Sequence, residues 1–125
     1  MGKTQSQRKQ KEGWDYIHRR ALYKVMGFRD EDLDKPLVAV VHGWSELSPG
    51  HFHLKRVAEA VKSGILAAGG TPLELPVPGI CGSLSGGRPS FRYNIPYRDF
   101  ASAFIEIMLA VGTVQGAVLI PVCDN

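Results

Sequence analysis

The chain has 125 residues, 44% hydrophobic and 22% charged, which is enough for one compact domain with a modest core and too little for two. Its net charge is +3, yet residues 1–25 hold seven Lys or Arg against Glu12 and Asp15, so the basicity belongs to an N-terminal arm. That arm has no aromatic interleaving and no apolar face, which argues against nucleic acid. No run reaches the roughly 20 apolar residues of a membrane span and no signal core opens the chain, so a cytoplasmic protein with no nucleic-acid or membrane partner is predicted.

Residues 1–12 read as a flexible basic arm and residues 13–125 as one folded domain. From Trp14 to Met26 the apolar residues Trp14, Ile17, Ala21, Leu22 and Val25 keep helical spacing, and Gly27 stands where a helix C-terminus wants it. The acidic segment Phe28–Asp34 reads as a solvated connector. Leu37–Val41 is a continuous β-branched run, the pattern of a central strand covered on both faces.

Ser48-Pro49 is expected to cap the next helix, with Leu54, Val57, Ala58, Val61, Ile65 and Ala68 as its apolar stripe and Gly69-Gly70 as its stop. Leu73–Val77 reads as a second strand, with Pro76 marking it as an edge or as ending near there. Gly79–Arg88 is a Gly- and Ser-rich loop without a dinucleotide fingerprint or a Walker lysine. Tyr97–Val111 reads as a helix apolar on most sides and therefore largely buried, and a third strand opens at Gly116. The order is βαβαβ, which predicts an α/β fold: a parallel, right-handed sheet flanked by helices. The chain stops after its third strand, where a covering helix is expected, so a partner supplies the cover or the chain is a truncated part of a larger α/β domain.

Several residues can carry chemistry. Cys123 and Asp124, at the carboxyl end of a buried strand, offer a soft and a hard metal ligand. If the first and third strands are neighbours, this pair comes up beside the loop Gly43–His51. Ser45 and Glu46, in the loop after the first strand, stand where substrates bind in such sheets. His51 and His53 diverge by about 200° around a helix axis and cannot jointly grip a metal; His53, next to the buried stripe, has the better case for substrate contact. Arg88, Arg92 and Arg98 can clamp a carboxylate or phosphate. Cys81 and Cys123 fit a reducing compartment and no disulfide framework.

Four stretches together give a family resemblance. Val41-His-Gly-Trp-Ser-Glu-Leu-Ser-Pro-Gly-His-Phe-His-Leu54, Ala67-Ala-Gly-Gly-Thr-Pro72, Phe91-Arg-Tyr-Asn-Ile-Pro-Tyr-Arg-Asp99 and Cys123-Asp124 resemble the N-terminal part of the dihydroxy-acid and 6-phosphogluconate dehydratases. The resemblance implies a hydro-lyase that converts a 2,3-dihydroxy acid or sugar acid to a 2-keto acid, with an iron–sulfur cluster on three cysteines as Lewis acid and Mg²⁺ orienting the substrate. It makes Cys123 the second cluster cysteine and Asp124 a Mg²⁺ ligand, and with the basic arm it implies a homodimer or higher oligomer.

The departures are specific. Gly50 stands where a cluster cysteine is expected, Gly82 where an acidic Mg²⁺ ligand is usual, and Asn125 where a lysine often follows Cys-Asp. The third cluster cysteine and the serine base of the family belong to sequence after residue 125, so no catalytic residue is assigned. One thiolate cannot hold a cluster; either another metal arrangement operates, with His51 or Cys81, or the site is degenerate. The residues 1–125 alone are expected to be inactive. The rival expectations are a non-catalytic, cluster-lacking family member or assembly module, and a small anion- or nucleotide-binding domain using Gly79–Gly87.

Overall fold

The structure is a computed structural model and describes residues 13–112 and 114–123. The predicted basic arm and the predicted metal ligand Asp124 lie outside the described residues. The chain divides into two compact units, one ending at Lys35 and one beginning at Pro36.

The first unit contains helices α1 (Trp14–Val25) and α2 (Asp30–Leu33). Helix α1 ends in a Schellman motif: Gly27 at φ +92°, the Gly27 amide on the Lys24 carbonyl at 3.0 Å, and the Phe28 amide on the Tyr23 carbonyl at 3.4 Å. The Tyr23 and Phe28 rings close it edge to face, 6.0 Å apart. The acidic segment is more than the solvated connector expected of it. Asp30 accepts from Arg20 at 2.6 Å and from Lys24 at 2.7 Å, and Arg20 also reaches Asp34 at 3.0 Å. Bonding to Lys24 and then Arg20 holds the Asp30 carboxyl below the ordinary carboxylate range. Trp14, Ile17, Leu22 and Val25 remain exposed, so ion pairs organise this unit where an apolar stripe was expected to.

The second unit is the α/β part. Strands β1 (Leu37–His42), β2 (Thr71–Pro76) and β3 (Gly116–Ile120) form a parallel sheet of order β2-β1-β3, with Val40 opposite Glu74 on one side and Val118 on the other. The β-branched run of β1 forms the centre because parallel strands need cover on both faces; Leu37, Ala39, Val40 and Val41 are buried. Chain entry into both edge strands is pinned, by the Thr71 amide on the Pro36 carbonyl at 2.8 Å and the Gln115 amide on the Leu37 carbonyl at 2.9 Å. The chain leaves β1 for β2 on one side and returns past it to β3 on the other. The crevice of an open α/β sheet lies at the carboxyl ends where that reversal happens.

Helix α3 (Leu54–Ala67) joins β1 to β2 and buries Leu54 and Ala58. Ser48 does not cap it. A 3₁₀ turn over Pro49–His51 intervenes and His53 takes the N-cap position, because the Ser48 hydroxyl is drawn instead to the Gly79 carbonyl at 2.6 Å. The helix stops at Gly69, φ +83°, and Gly70 lets the chain pass close by: a Cβ there would lie 3.0 Å from Ile65 Cγ2.

Helix α4 (Asn94–Gly112) joins β2 to β3 and corrects the largest expectation. It is apolar on most sides, yet only Asn94 is buried, while Phe100 is 76% and Val111 is 73% exposed. A helix apolar all round has more surface than one neighbour can cover, and the element this one chiefly contacts is the short 3₁₀ turn Pro89–Tyr93 before it. Among the described residues no helix is long and apolar enough to cross a membrane.

Candidate functional site

The loop after β1 is a hub for the carboxyl end of the sheet. Its Ser48 hydroxyl and its Gly43 carbonyl both engage the buried Gly79, after β2, at 2.6 Å and 3.1 Å. On the other side the imidazole Nε2–H of His51 donates to the Val122 carbonyl, after β3, at 3.0 Å. The two flanking loops are thereby brought together, and each carries a cysteine. The Cys81 and Cys123 thiols lie within hydrogen-bonding reach of each other. Gly50 faces Cys123: a Cβ added there would meet Cys123 Cβ and Sγ at 3.7 Å, ordinary van der Waals contact. Position 50 therefore lies against Cys123.

Local backbone acidifies the Cys81 thiol. The 3₁₀ turn Gly82–Ser85 aims the Leu84 amide, above all, at the sulfur; burial opposes this, while the Ser83 amide, the Cys123 thiol and the Ser83 hydroxyl add to it, so the thiol is held below its ordinary range. The Gly-rich loop thus turns those two amides onto a sulfur. Iodoacetamide should accordingly alkylate Cys81 with a pH midpoint below that of a free cysteine, about 8.5. A midpoint at or above that value, measured in a Cys123→Ser background, would contradict this assignment.

Among the described residues no group of three or more His, Cys, Asp or Glu is arranged to hold a metal ion. Two thiols are what this chain brings together. Sequence reasoning named Cys81 only as a stand-in, although a cysteine just after a strand and inside a Gly- and Ser-rich turn is a visible signal.

Beside β2, a cavity of about 550 Å³ is lined by His42, Trp44, Ser45, Glu46, Lys55 and Glu74. Two of the residues predicted to contact substrate, Ser45 and Glu46, face it. The third, His53, is exposed at the start of α3 and does not line it, while His51 is the fully buried histidine of the pair. His42 forms the floor. The Trp44 amide donates to its Nδ1 at 3.3 Å, which leaves the proton on Nε2, and that Nε2–H donates to Glu74 at 2.9 Å. Lys62 adds a second bond to Glu74 at 3.1 Å. The Lys55 ammonium sits 5.0 Å above the Trp44 ring.

Burial alone would raise the Glu74 carboxyl, but the bonds from His42 and Lys62 outweigh it and leave the group below its ordinary value. Its contribution to stability is therefore present above the ordinary carboxylate range and lost as pH falls through the depressed native value. Glu74→Gln should cost about 1–2 kcal/mol at pH 7 and flatten the acid limb of the stability profile. Urea midpoints that are unchanged at pH 7, or that fall equally steeply with acid, would contradict this.

Residues 35–125 match the family profile described as dihydroxy-acid/6-phosphogluconate dehydratase N-terminal. The chain is 44% identical over 115 residues to the dihydroxy-acid dehydratase of Caldicellulosiruptor bescii, covering 92% of this chain and 21% of that protein. The dihydroxy-acid dehydratase of Pyrococcus abyssi gives the same identity and coverage. That of Methanococcus maripaludis is 44% identical over 106 residues, 85% of this chain and 19% of that protein. The chain thus spans about a fifth of the length of these curated relatives.

Proposed function

The chain belongs to the dihydroxy-acid/6-phosphogluconate dehydratase family, and from that premise we propose that its α/β unit forms the thiol-bearing wall of a metal-assisted hydro-lyase. The observation that carries this reading is the meeting of Cys81 and Cys123 between two loops at the reversal point of the sheet. The reaction removes a proton from C2 and hydroxide from C3 of a 2,3-dihydroxy acid or sugar acid. Water leaves, and the resulting enol tautomerises to the 2-keto acid.

The donor set fits a soft metal centre in part. Cys81 and Cys123 would supply two of the three thiolates an iron–sulfur cluster takes, with Gly50, whose added Cβ would touch Cys123 at 3.7 Å, standing where the family expects another. Such a centre supplies Lewis acidity at the leaving hydroxyl. The chain's own residues do the rest of what can be assigned. The turn amides of Ser83 and Leu84 favour the Cys81 thiolate that a metal needs. Lys55 offers a cation to the substrate carboxylate, and Ser45 and Glu46 offer hydrogen bonds to its hydroxyls across the cavity. Mg²⁺ fits less well: Gly82 has no carboxylate and Asp124 is the single acidic candidate from sequence, so no step is derived through it.

A second reading, a non-catalytic family member or assembly module, is favoured by Gly50 and Gly82 themselves. Anaerobic incubation with iron and sulfide, followed by analysis of both, separates the two. Bound iron and acid-labile sulfide that vanish in Cys81→Ser support the thiol wall; their clean absence from the full-length protein supports the non-catalytic reading. Residues 1–125 alone are proposed to give no 2-keto acid from a 2,3-dihydroxy acid, and measurable turnover would sink that part. Cytoplasmic location and a homodimer or higher oligomer belong to the same proposal, resting on the resemblance and on the basic arm.

A further inference from the structure

Cys123 stands at φ 60°, in the left-handed region that a residue with a Cβ enters only at a cost, and it is the one non-glycine residue with positive φ among those described. A conformation of this kind persists where its surroundings over-determine it. The surroundings here are two consecutive residues of the loop after β1. The His51 imidazole, with none of its surface exposed, donates from Nε2 to the Val122 carbonyl at 3.0 Å and so grips the peptide that leads into Cys123. Gly50 lies against the same cysteine, with 3.7 Å from the place of its missing Cβ to the Cys123 sulfur. Cys123 is also within hydrogen-bonding reach of Cys81.

We propose that His51 is the positioning residue of the thiol pair: its Nε2–H holds the Val122 carbonyl, fixes the left-handed turn at Cys123, and keeps the Cys123 sulfur facing Cys81. The role suits histidine. Its ring is rigid and fills a buried space, and its N–H direction is set by the ring, whereas an apolar side chain of similar size would leave the carbonyl without this donor. The turn would then relax toward the right-handed well and swing the sulfur away from its partner. The 3₁₀ turn Pro49–His51 is what points the imidazole inward, with the His51 amide on the Ser48 carbonyl at 2.8 Å and Ser48 itself anchored on Gly79. The inference rests on the reading of the two thiols as a metal centre, but it concerns their geometry and can fail separately.

The test uses phenylarsine oxide, which condenses with two adjacent thiols, forming two As–S bonds and releasing one water, with no change in redox state. The unaltered chain should bind it and His51→Phe should bind about tenfold more weakly or worse, the effect of losing one orienting hydrogen bond, while His51→Gln, whose amide can reach the same carbonyl, should recover most of the affinity. Equal binding by His51→Phe and the unaltered chain, no recovery in His51→Gln, or no binding by the unaltered chain would each overturn the proposal. Long-range ¹H–¹⁵N spectra of the unaltered chain give a readout that needs no variant: they should show the proton of His51 on Nε2, and a proton on Nδ1 alone would also overturn it. Arsenical binding without any Zn²⁺ binding would end the metal reading and leave the positioning role intact.

Discussion

Replacing Cys81 by serine should weaken Zn²⁺ binding about a hundredfold or more, and replacing Cys123 should do the same. Structural zinc sites with four ligands bind with roughly 10–16 kcal/mol, so each ligand is worth about 3 kcal/mol, which is about two decades in affinity. Serine keeps the shape of either side chain and leaves the backbone bonds of the loops untouched, so folding should survive, as circular dichroism can confirm. The singles carry the argument because the thiols meet: removing either leaves one thiolate, which cannot chelate. If the sulfurs served separate sites, one single variant would keep the affinity of the unaltered chain. Competition against a chromophoric chelator at pH 7.5 reads the difference, and retention in either single variant would contradict a shared centre.

Truncating Leu54 to alanine should cost about 2–5 kcal/mol, because the side chain is 2% exposed and a cavity in a packed core does not close fully. The buried apolar set of the described residues is small: Leu37, Ala39, Val40, Val41, Leu54 and Ala58. A unit the size of Pro36–Asn125 has roughly 5–13 kcal/mol of stability in total, so the loss takes a large share of it. Leu54 is also the first residue of α3, directly after the turn that carries Gly50 and His51. Stability and the seating of Cys123 should therefore fall together. A urea midpoint shift worth less than about 1 kcal/mol at constant m would show that the loop and helix are held in some other way.

Much of the frame was legible because it depends on short-range pattern. The β-branched run at Leu37–Val41 named the central strand, and the glycines at 27 and 69–70 marked helix ends whose left-handed backbone the structure shows at Gly27 and Gly69. Local pattern fails where a partner distant in sequence decides. Ser48 looks like a cap until Gly79, 31 residues on, offers its carbonyl. The preference for His53 over His51 assumed one regular helix starting at Pro49; a 3₁₀ turn has about three residues per turn, so the intervening turn rotates His51 inward. Cys81 was undervalued because its importance comes from the Ser83 and Leu84 amides and from Cys123, none of which a spacing rule joins to it. The burial expected for α4 presumed more cover than its neighbours provide.

The stretch after β1 thus organises both neighbouring loops, which bring the Cys81 and Cys123 thiols together. Zinc K-edge absorption of the Zn²⁺-loaded chain examines that arrangement most directly. Two sulfur neighbours at about 2.3 Å, with lighter atoms completing the shell, are the predicted result. A shell of nitrogen and oxygen alone, or one containing a single sulfur, would contradict the claim that Cys81 and Cys123 form one centre.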